Sequence, residues 1–439
     1  MHPKPFSSLF LDSGGGWLNG EEEAFILFKS PSLSLFTIEG STTVVLPEGR
    51  FNTSRSPLSL LDGYLGEGYI AVGYLGYEFS RFTENGLTVS RQKEGYRFPD
   101  TYFLFYKQED MISGEIKDLI PLIIETPSQK RVGLGSRDAR LGSLYSNMTK
   151  DKYVEMVLSV KEYIASGDVY QVNLSQRFTT LLNFNSPPIS YLLDLYNVQP
   201  VPFGCYIDFG YFLLVSGSME LFVRKIGRKV ATKPIKGTRK RAFTTEEDAL
   251  LRAELLSSDK ERAENLMIVD LMRNDLGRIC QYGTVKVSGL FRVESYSTVH
   301  QLVSEVEGLL NDGIKTGDII NATFPPGSVT GAPKRRAMEV IDELEPHLRG
   351  PYCGALGIFM PNGDFTLSVA IRILTIRELN GSDVPTSLRI SRADEPVLNK
   401  AEGTFWVGGG IVWDSDPEKE YQETLIKARA INKALGIEE

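Results

Sequence analysis

From residue 149 onward the chain alternates between two hydrophobic rhythms. Apolar residues three and four positions apart mark helices. Tyr153, Met156, Val157, Val160, Tyr163 and Ile164 form one such stripe, with Thr149 or Asp151 placed to cap its start and Gly167 to end it. The same spacing runs through ERAENLMIVDLMRNDLGRI, PKRRAMEVIDELE and EKEYQETLIKARAINKAL. Runs rich in Val, Ile and aromatic residues, bounded by Gly, Asn or Asp, predict strands at VYQVNLSQRF, YFLLVSGSMELFVRKIGRKV, TVKVSGLFRV, CGALGIFM, LSVAIRILTIREL and FWVGGGIVW. Strands outnumber helices and the two do not alternate strictly, so an α+β layered architecture is expected rather than a doubly wound parallel sheet.

The pattern breaks near residues 127–148, where PSQKRVGLGSRDARLGSLYSN is polar, aperiodic and rich in Gly, Ser and Arg. Two regions are therefore expected, 1–126 and 147–439, and no fixed-period repeat suggests an array. With 439 residues, 42% hydrophobic and 24% charged, the chain has the composition of an ordinary globular protein with a large core. Its net charge of -8 offers no general attraction for phosphate backbones, so no nucleic-acid partner is expected. Cys205, Cys280 and Cys353 lack CxxC spacing and form neither a disulfide framework nor a zinc site on sequence grounds. No apolar run reaches the length of a membrane span, and MHPKPFSSLFLDSGGGW lacks the apolar core of a secretory signal, so a cytoplasmic location without a membrane partner is expected.

Several residue groups carry chemistry. Glu261 and Glu264 lie three apart in one predicted helix, Glu420 and Glu423 three apart in another, with Lys427 one turn further. Two such pairs can converge on a hard divalent cation such as Mg²⁺, or they can be two solvated helix faces. In KPIKGTRKR, Lys236 follows a strand and precedes Gly237 and Thr238. An ordinary lysine is protonated at neutral pH, and burial or a nearby cation frees its amine for nucleophilic attack. The alternative is a basic surface loop, since Lys233, Arg239, Lys240 and Arg241 surround it. FPPGSVTGAPK and VGGGIV are glycine-rich loops suited to close approach of an anion, or else tight turns beside a sheet. Ala332 and Pro333 after Gly331 exclude the phosphate-cradling P-loop pattern. His300, in apolar surroundings, is a general acid or base or a satisfied core histidine.

Taken in order, GDVYQVNLSQRF, PIKGTRKR, ERAENLMIVDLMRNDLGR, FPPGSVTGAPKRRAMEVIDELE, GGGIVWDS and EYQETLIKA resemble the chorismate-utilising enzymes related to anthranilate synthase component I. The likeness spans residues 147–439, and VGYLGYEFSR resembles the family's amino-terminal region more faintly. It implies a layered β-sandwich of two antiparallel sheets flanked by helices. It also implies Glu264 and Glu423 as Mg²⁺ ligands with Glu261 and Glu420 flanking, and Arg372, Tyr352, Gly408, Gly409 and Gly410 around a substrate carboxylate, with Lys427 as an accessory binder. His300 and Thr330 match further active-site positions, and Glu220 matches a carboxylate that handles a leaving hydroxyl.

Branches of the family differ at two positions. Isochorismate and salicylate synthases carry a water-activating lysine where this chain has Gln171, and anthranilate synthases usually read PIAGT where this chain reads PIKGT. Lys236 resembles the signature of the aminodeoxychorismate synthase branch, which implies amination of chorismate at C4 through a covalent lysine intermediate. No cysteine stands in a nucleophile-elbow-like glycine context, so a separate glutamine amidotransferase subunit is expected to supply ammonia. Two positions depart from the family pattern, Thr366-Leu367 for its Asp-Thr and Ser218-Met219-Glu220 for its Ser-Pro-Glu. Anthranilate synthase component I is the alternative enzyme, and a catalytically silent homologue is expected to have lost some of Lys236, Glu264, Arg372 and Glu423, all of which are present.

Overall fold

The computed structural model describes residues 8–12, 16–18, 24–84, 87, 93–124, 144–183, 188–198, 200–296, 298–379 and 400–437. The connection read near residues 127–148 falls largely outside them. The architecture is the expected α+β sandwich of two antiparallel sheets. The first runs in the order Gly331–Ala332, Gln171–Asn183, Lys400–Ile411, Ile373–Glu378, Leu213–Ser218, Phe203–Asp208, Ser8–Asp12, Ala24–Phe28 and Met111–Gly114, with Tyr145–Ser146 beside the second of these. The other runs Ile235–Lys240, Val299–Leu309, Lys229–Lys233, Leu221–Ile226, Phe365–Val369, Ala355–Phe359, Ile70–Leu75, Thr101–Tyr106, Leu33–Ile38, Ser41–Leu46 and Gly49–Thr53, with Lys286–Ser295 beside Val299–Leu309.

Both regions read from the sequence contribute to both sheets. Ser8–Asp12 pairs with Phe203–Asp208, and Ile70–Leu75 with Ala355–Phe359. Phe10, Phe28, Tyr74 and Tyr106 from the first region pack with Leu356, Ile358 and Trp406 from the second in one core. A second core forms where helices Ile189–Val198 and Pro417–Ala434 cover the first sheet through Leu192, Leu195, Ala428 and Ile431.

Two long apolar runs that read as unbroken β segments are divided between the sheets. Leu213–Ser218 belongs to the first sheet and Leu221–Ile226 to the other, so the chain crosses at Met219–Glu220. Phe365–Val369 and Ile373–Glu378 are separated in the same way, with a crossing at Ala370–Arg372. The crossings are tied together: Val369 N–H donates to Glu220 O at 3.0 Å, Gly217 N–H to Arg372 O at 2.9 Å, and the Ser218 hydroxyl to Val369 O at 2.7 Å. The alternation of side chains is local and carries no mark of which sheet a strand will join.

Helix ends behave as their residues dictate. Thr149 caps Lys150–Ala165 by accepting from Lys152 N–H, Ser258 caps Asp259–Gly277, and Asp416 caps Pro417–Ala434. The last two caps set the first turns that carry Glu261 and Glu420. Among the described residues no helix is long and apolar enough to cross a membrane.

Candidate active site

Lys236 lies in Ile235–Lys240, whose pairing with Val299–Leu309 slips between Ile235 and Thr238. Such a bulge re-aims a side chain. Gly237 has φ +84°, a backbone conformation that favours glycine, and a β-carbon there would displace the ends of the Glu261 and Leu255 side chains, each 2.9 Å away. The half-buried Lys236 donates from Nζ to the Ser328 carbonyl at 3.1 Å. Burial holds its pKa below the ordinary value against the pull of Glu264 and Glu220, and Lys427 adds to the lowering. The two arginines of the basic run are otherwise engaged. Arg239 pairs with Glu254 at 3.0 Å and with Glu261 at 3.4 Å, and Arg241 with Asp248 at 2.8 Å.

Glu220, at the first sheet crossing, is 5% exposed. Burial pushes its carboxyl up to about 7, against the Ser328 hydroxyl, the Lys236 charge and the Ile235 N–H. A carboxyl poised there can give up a proton near neutral pH. Ser328 thus serves both Lys236 and Glu220.

The two carboxylate pairs are coupled electrostatically. Glu264 is raised by burial and feels Lys236, Lys260, Glu261 and Glu420; Glu420, 6% exposed, is raised by burial and by Glu423 while the Ser415 hydroxyl donates to it at 2.7 Å. Glu423 is lowered, chiefly by Lys427, which it meets at 2.7 Å. Lys427 Nζ also donates to Gly408 O at 3.0 Å. Among the described residues no three His, Cys, Asp or Glu side chains stand close enough to enclose a metal by themselves. A cation here would take one or two carboxylates and complete its shell with water and substrate oxygens, the habit of Mg²⁺.

Gly408, Gly409 and Gly410 lie inside the strand Lys400–Ile411, paired with Ser175, Leu174 and Asn173, and not in a loop as the run of glycines suggests. Twelve-residue pairing with Gln171–Asn183 outweighs the weak strand preference of glycine. A β-carbon on Gly408 would lie 2.4 Å from Leu174 O, on Gly409 3.3 Å from Glu420 Oε2, and on Gly410 2.8 Å from Gln171 Nε2. Gln171 is fully buried and, among the described residues, neither of its amide atoms has a partner, which leaves it needing a water or ligand to bond to.

Arg372 sits at the second crossing with φ +52°, a strained backbone for a residue with a side chain. Burial lowers its pKa, and the nearby Tyr352 hydroxyl opposes that. Tyr352 stacks on Trp406 with centroids 6.1 Å apart. Thr330 is buried, with its hydroxyl donating to Pro326 O and Gly327 O. His300 is bonded through Nδ1 to Ser295 at 2.8 Å and through Nε2 to Asp248 at 2.9 Å, so both ring nitrogens are engaged away from the carboxylate pairs.

Electrostatic coupling therefore joins Lys236, Glu220, Glu261, Glu264, Glu420, Glu423 and Lys427 into one site. Ser328, Lys260 and Ser415 belong to it and were not singled out by sequence reasoning. Lys260 sits one turn before Glu264, 4.0 Å away, and that spacing was a usable signal.

The pattern of chorismate binding enzymes matches residues 42–433. Aminodeoxychorismate synthase component 1 of Bacillus subtilis is 37% identical over 84% of this chain and 77% of its own length, and that of Escherichia coli 35% identical over 93% and 89%. Anthranilate synthase component 1 of Aquifex aeolicus is 36% identical over 84% and 74%. The crystal structure of anthranilate synthase component I from Streptococcus pneumoniae superposes with a TM-score of 0.75 at 28% identity, covering 93% of this chain and 92% of that one. The menaquinone-specific isochorismate synthase of Escherichia coli, at 17% identity and a TM-score of 0.68 over 99% and 89%, shares the fold.

Proposed function

This chain belongs to the chorismate-binding enzyme family, and from that premise we propose that it aminates chorismate at C4 to give 4-amino-4-deoxychorismate. The observation that carries the reading is Lys236, a half-buried lysine of lowered pKa that donates to the Ser328 carbonyl and feels Glu220 and Glu264, where anthranilate synthases usually have alanine. The neutral Lys236 amine adds to C2 of the ring while hydroxide leaves C4, protonated by Glu220. Ammonia then adds at C4 as the C2–N bond breaks, which restores the lysine. Arg372, Tyr352, Thr330 and the Gly408–Gly410 backbone hold a substrate carboxylate, an arrangement suited to the planar guanidinium fork, and Lys427 assists.

The donor set fits Mg²⁺: Glu264 and Glu423 would hold it, with Glu261 and Glu420 acting on its waters. When bound, Mg²⁺ supplies the positive charge that lets a dianionic substrate rest among these carboxylates.

A separate glutamine amidotransferase subunit supplies the ammonia. The isolated chain is therefore expected to turn over chorismate only with ammonium, and glutamine-dependent turnover by the purified chain would refute the need for a partner. Anthranilate synthase relatives of similar identity favour a second reading. Product analysis decides: pyruvate and anthranilate from chorismate and ammonium would establish it, whereas aminodeoxychorismate without pyruvate supports amination at C4.

Glu220→Gln tests the proton donor. It is expected to lower kcat by roughly 10²–10⁴. The carboxyl's ordinary value is 4.5, and it is raised to about 7 in the fold. The folded state therefore binds the proton more tightly, and stability falls as pH rises between those values. Glutamine escapes that loss, so the variant should melt at a higher temperature than the native chain at pH 8, by up to about 3 kcal/mol of stability. Equal melting at pH 8 together with unchanged kcat would remove Glu220 from the mechanism.

A further inference from the structure

Hydrogen-bonded to the residue that follows Ser328 is a guanidinium that takes no part in the chemistry above. Arg349 is 1% exposed and pairs bidentately with Glu345, Nε to Oε2 at 2.9 Å and Nη2 to Oε1 at 2.7 Å. Its remaining hydrogen bonds go to main-chain carbonyls: Nη1 to Val329 O at 3.0 Å, and Nη2 to Asn173 O at 2.7 Å. Val329 stands between Ser328, whose carbonyl receives the Lys236 amine, and Thr330. Asn173 N–H in turn donates to Thr330 O at 2.8 Å, and Tyr352 N–H to Arg349 O at 3.1 Å. Glu345 also accepts from the Ser175 N–H at 2.7 Å and hydroxyl at 2.9 Å. The Tyr77 ring lies 4.6 Å beneath the guanidinium, and Glu78 accepts from the N–H groups of Arg349 at 2.8 Å and Gly350 at 2.9 Å.

We propose that Arg349 is a positioning residue: it fixes the Ser328–Thr330 segment against the Gln171–Asn183 strand, and thereby fixes the Lys236 amine, while Glu78 from the amino-terminal region sets the height of Arg349 itself. A planar fork with five donors can meet a carboxylate and two separate carbonyls at once, whereas a lysine ammonium at the end of a flexible stem cannot reproduce the fork. Breaking the arrangement leaves each chemical group in place but allows the Ser328 carbonyl to wander, and displacements of that size are costly to the chemical step.

The inference rests on the reading of Lys236 as the reacting amine, and its test separates the two. Arg349→Lys in the full chain, checked for a cooperative melt, is compared with the native protein by amide hydrogen exchange and by steady-state kinetics with chorismate, Mg²⁺ and ammonium. Protection across residues 326–331 should fall while that of Ala355–Phe359 is kept. The kcat should drop about tenfold or more, and by a larger factor than KM rises. Native protection of that segment, or a loss confined to KM, would overturn the proposal. Exchange needs no turnover, so a chain whose product proved to be anthranilate would fail the functional reading and still answer this one. Should Arg349→Lys not fold, Glu78→Gln, which keeps one acceptor for the two N–H groups, carries the test: a smaller loss of the same protection and of kcat supports the proposal, and native values of both overturn it.

Discussion

Mixed with chorismate and Mg²⁺ in the absence of ammonia, the protein is expected to carry a covalent adduct on Lys236, because the amine can add at C2 and expel hydroxide from C4 while nothing is present to complete the exchange. Intact mass followed by peptide mapping would locate it. Adduct formation should have a bell-shaped pH dependence. The amine must be neutral, so the rate rises with pH through the lowered pKa of Lys236; Glu220 must carry its proton, so the rate falls as pH passes about 7. Lys236→Ala should abolish the adduct and cut aminodeoxychorismate formation by roughly 10²–10⁴. Residual turnover is expected because the carboxylate-binding groups still hold chorismate for direct attack by ammonia. An unmodified Lys236 in a preparation working at full rate would make this lysine an electrostatic anchor and end the covalent mechanism.

Removal of the divalent cation should have an effect of comparable size. The proposed site sets Glu261, Glu264, Glu420 and Glu423 against a substrate that is itself dianionic, with Lys236, Arg239, Lys260 and Lys427 as near cations. Burial already raises Glu264 and Glu420, so further negative charge is poorly tolerated there. Turnover should vanish in excess chelator and return on adding Mg²⁺. Glu264→Gln and Glu423→Gln should each weaken cation binding by about 100-fold or more, read by calorimetric titration of Mg²⁺ and independently of activity. Full turnover in chelator would assign the four carboxylates another purpose.

Much of this was legible in the sequence for identifiable reasons. The helix from Lys150, its Thr149 cap and its buried stripe follow from local spacing alone, as does the sharing of a helix face by Glu261 and Glu264. That Glu264 on one carboxylate helix feels Glu420 on the other is a tertiary fact, and only the resemblance to a family pointed to it. The crossings at Met219–Glu220 and Ala370–Arg372 were not legible, because strand-forming residues resume within a few positions on the far side of each and the whole stretch reads as one long strand. The bulge at Lys236–Gly237 has only a glycine to announce it. Arg349 follows its ion-pair partner Glu345 by four positions, a spacing visible in the sequence, but its other partners Glu78, Asn173 and Val329 are scattered along the chain and could not be found locally.

The sharing of both sheets between the two regions bears on how the chain reaches this state. Ile70–Leu75 leaves the ribosome long before Ala355–Phe359, its neighbour in the finished sheet, and Ser8–Asp12 precedes Phe203–Asp208 in the same way. The pairings that join the regions are thus among the contacts most distant in sequence, and closing such loops is the slow part of building a β topology. Until residues 355–359 arrive, the edge of the Ile70–Leu75 strand that they will cover has no partner there, and an unpaired strand edge of that kind is open to aggregation during synthesis.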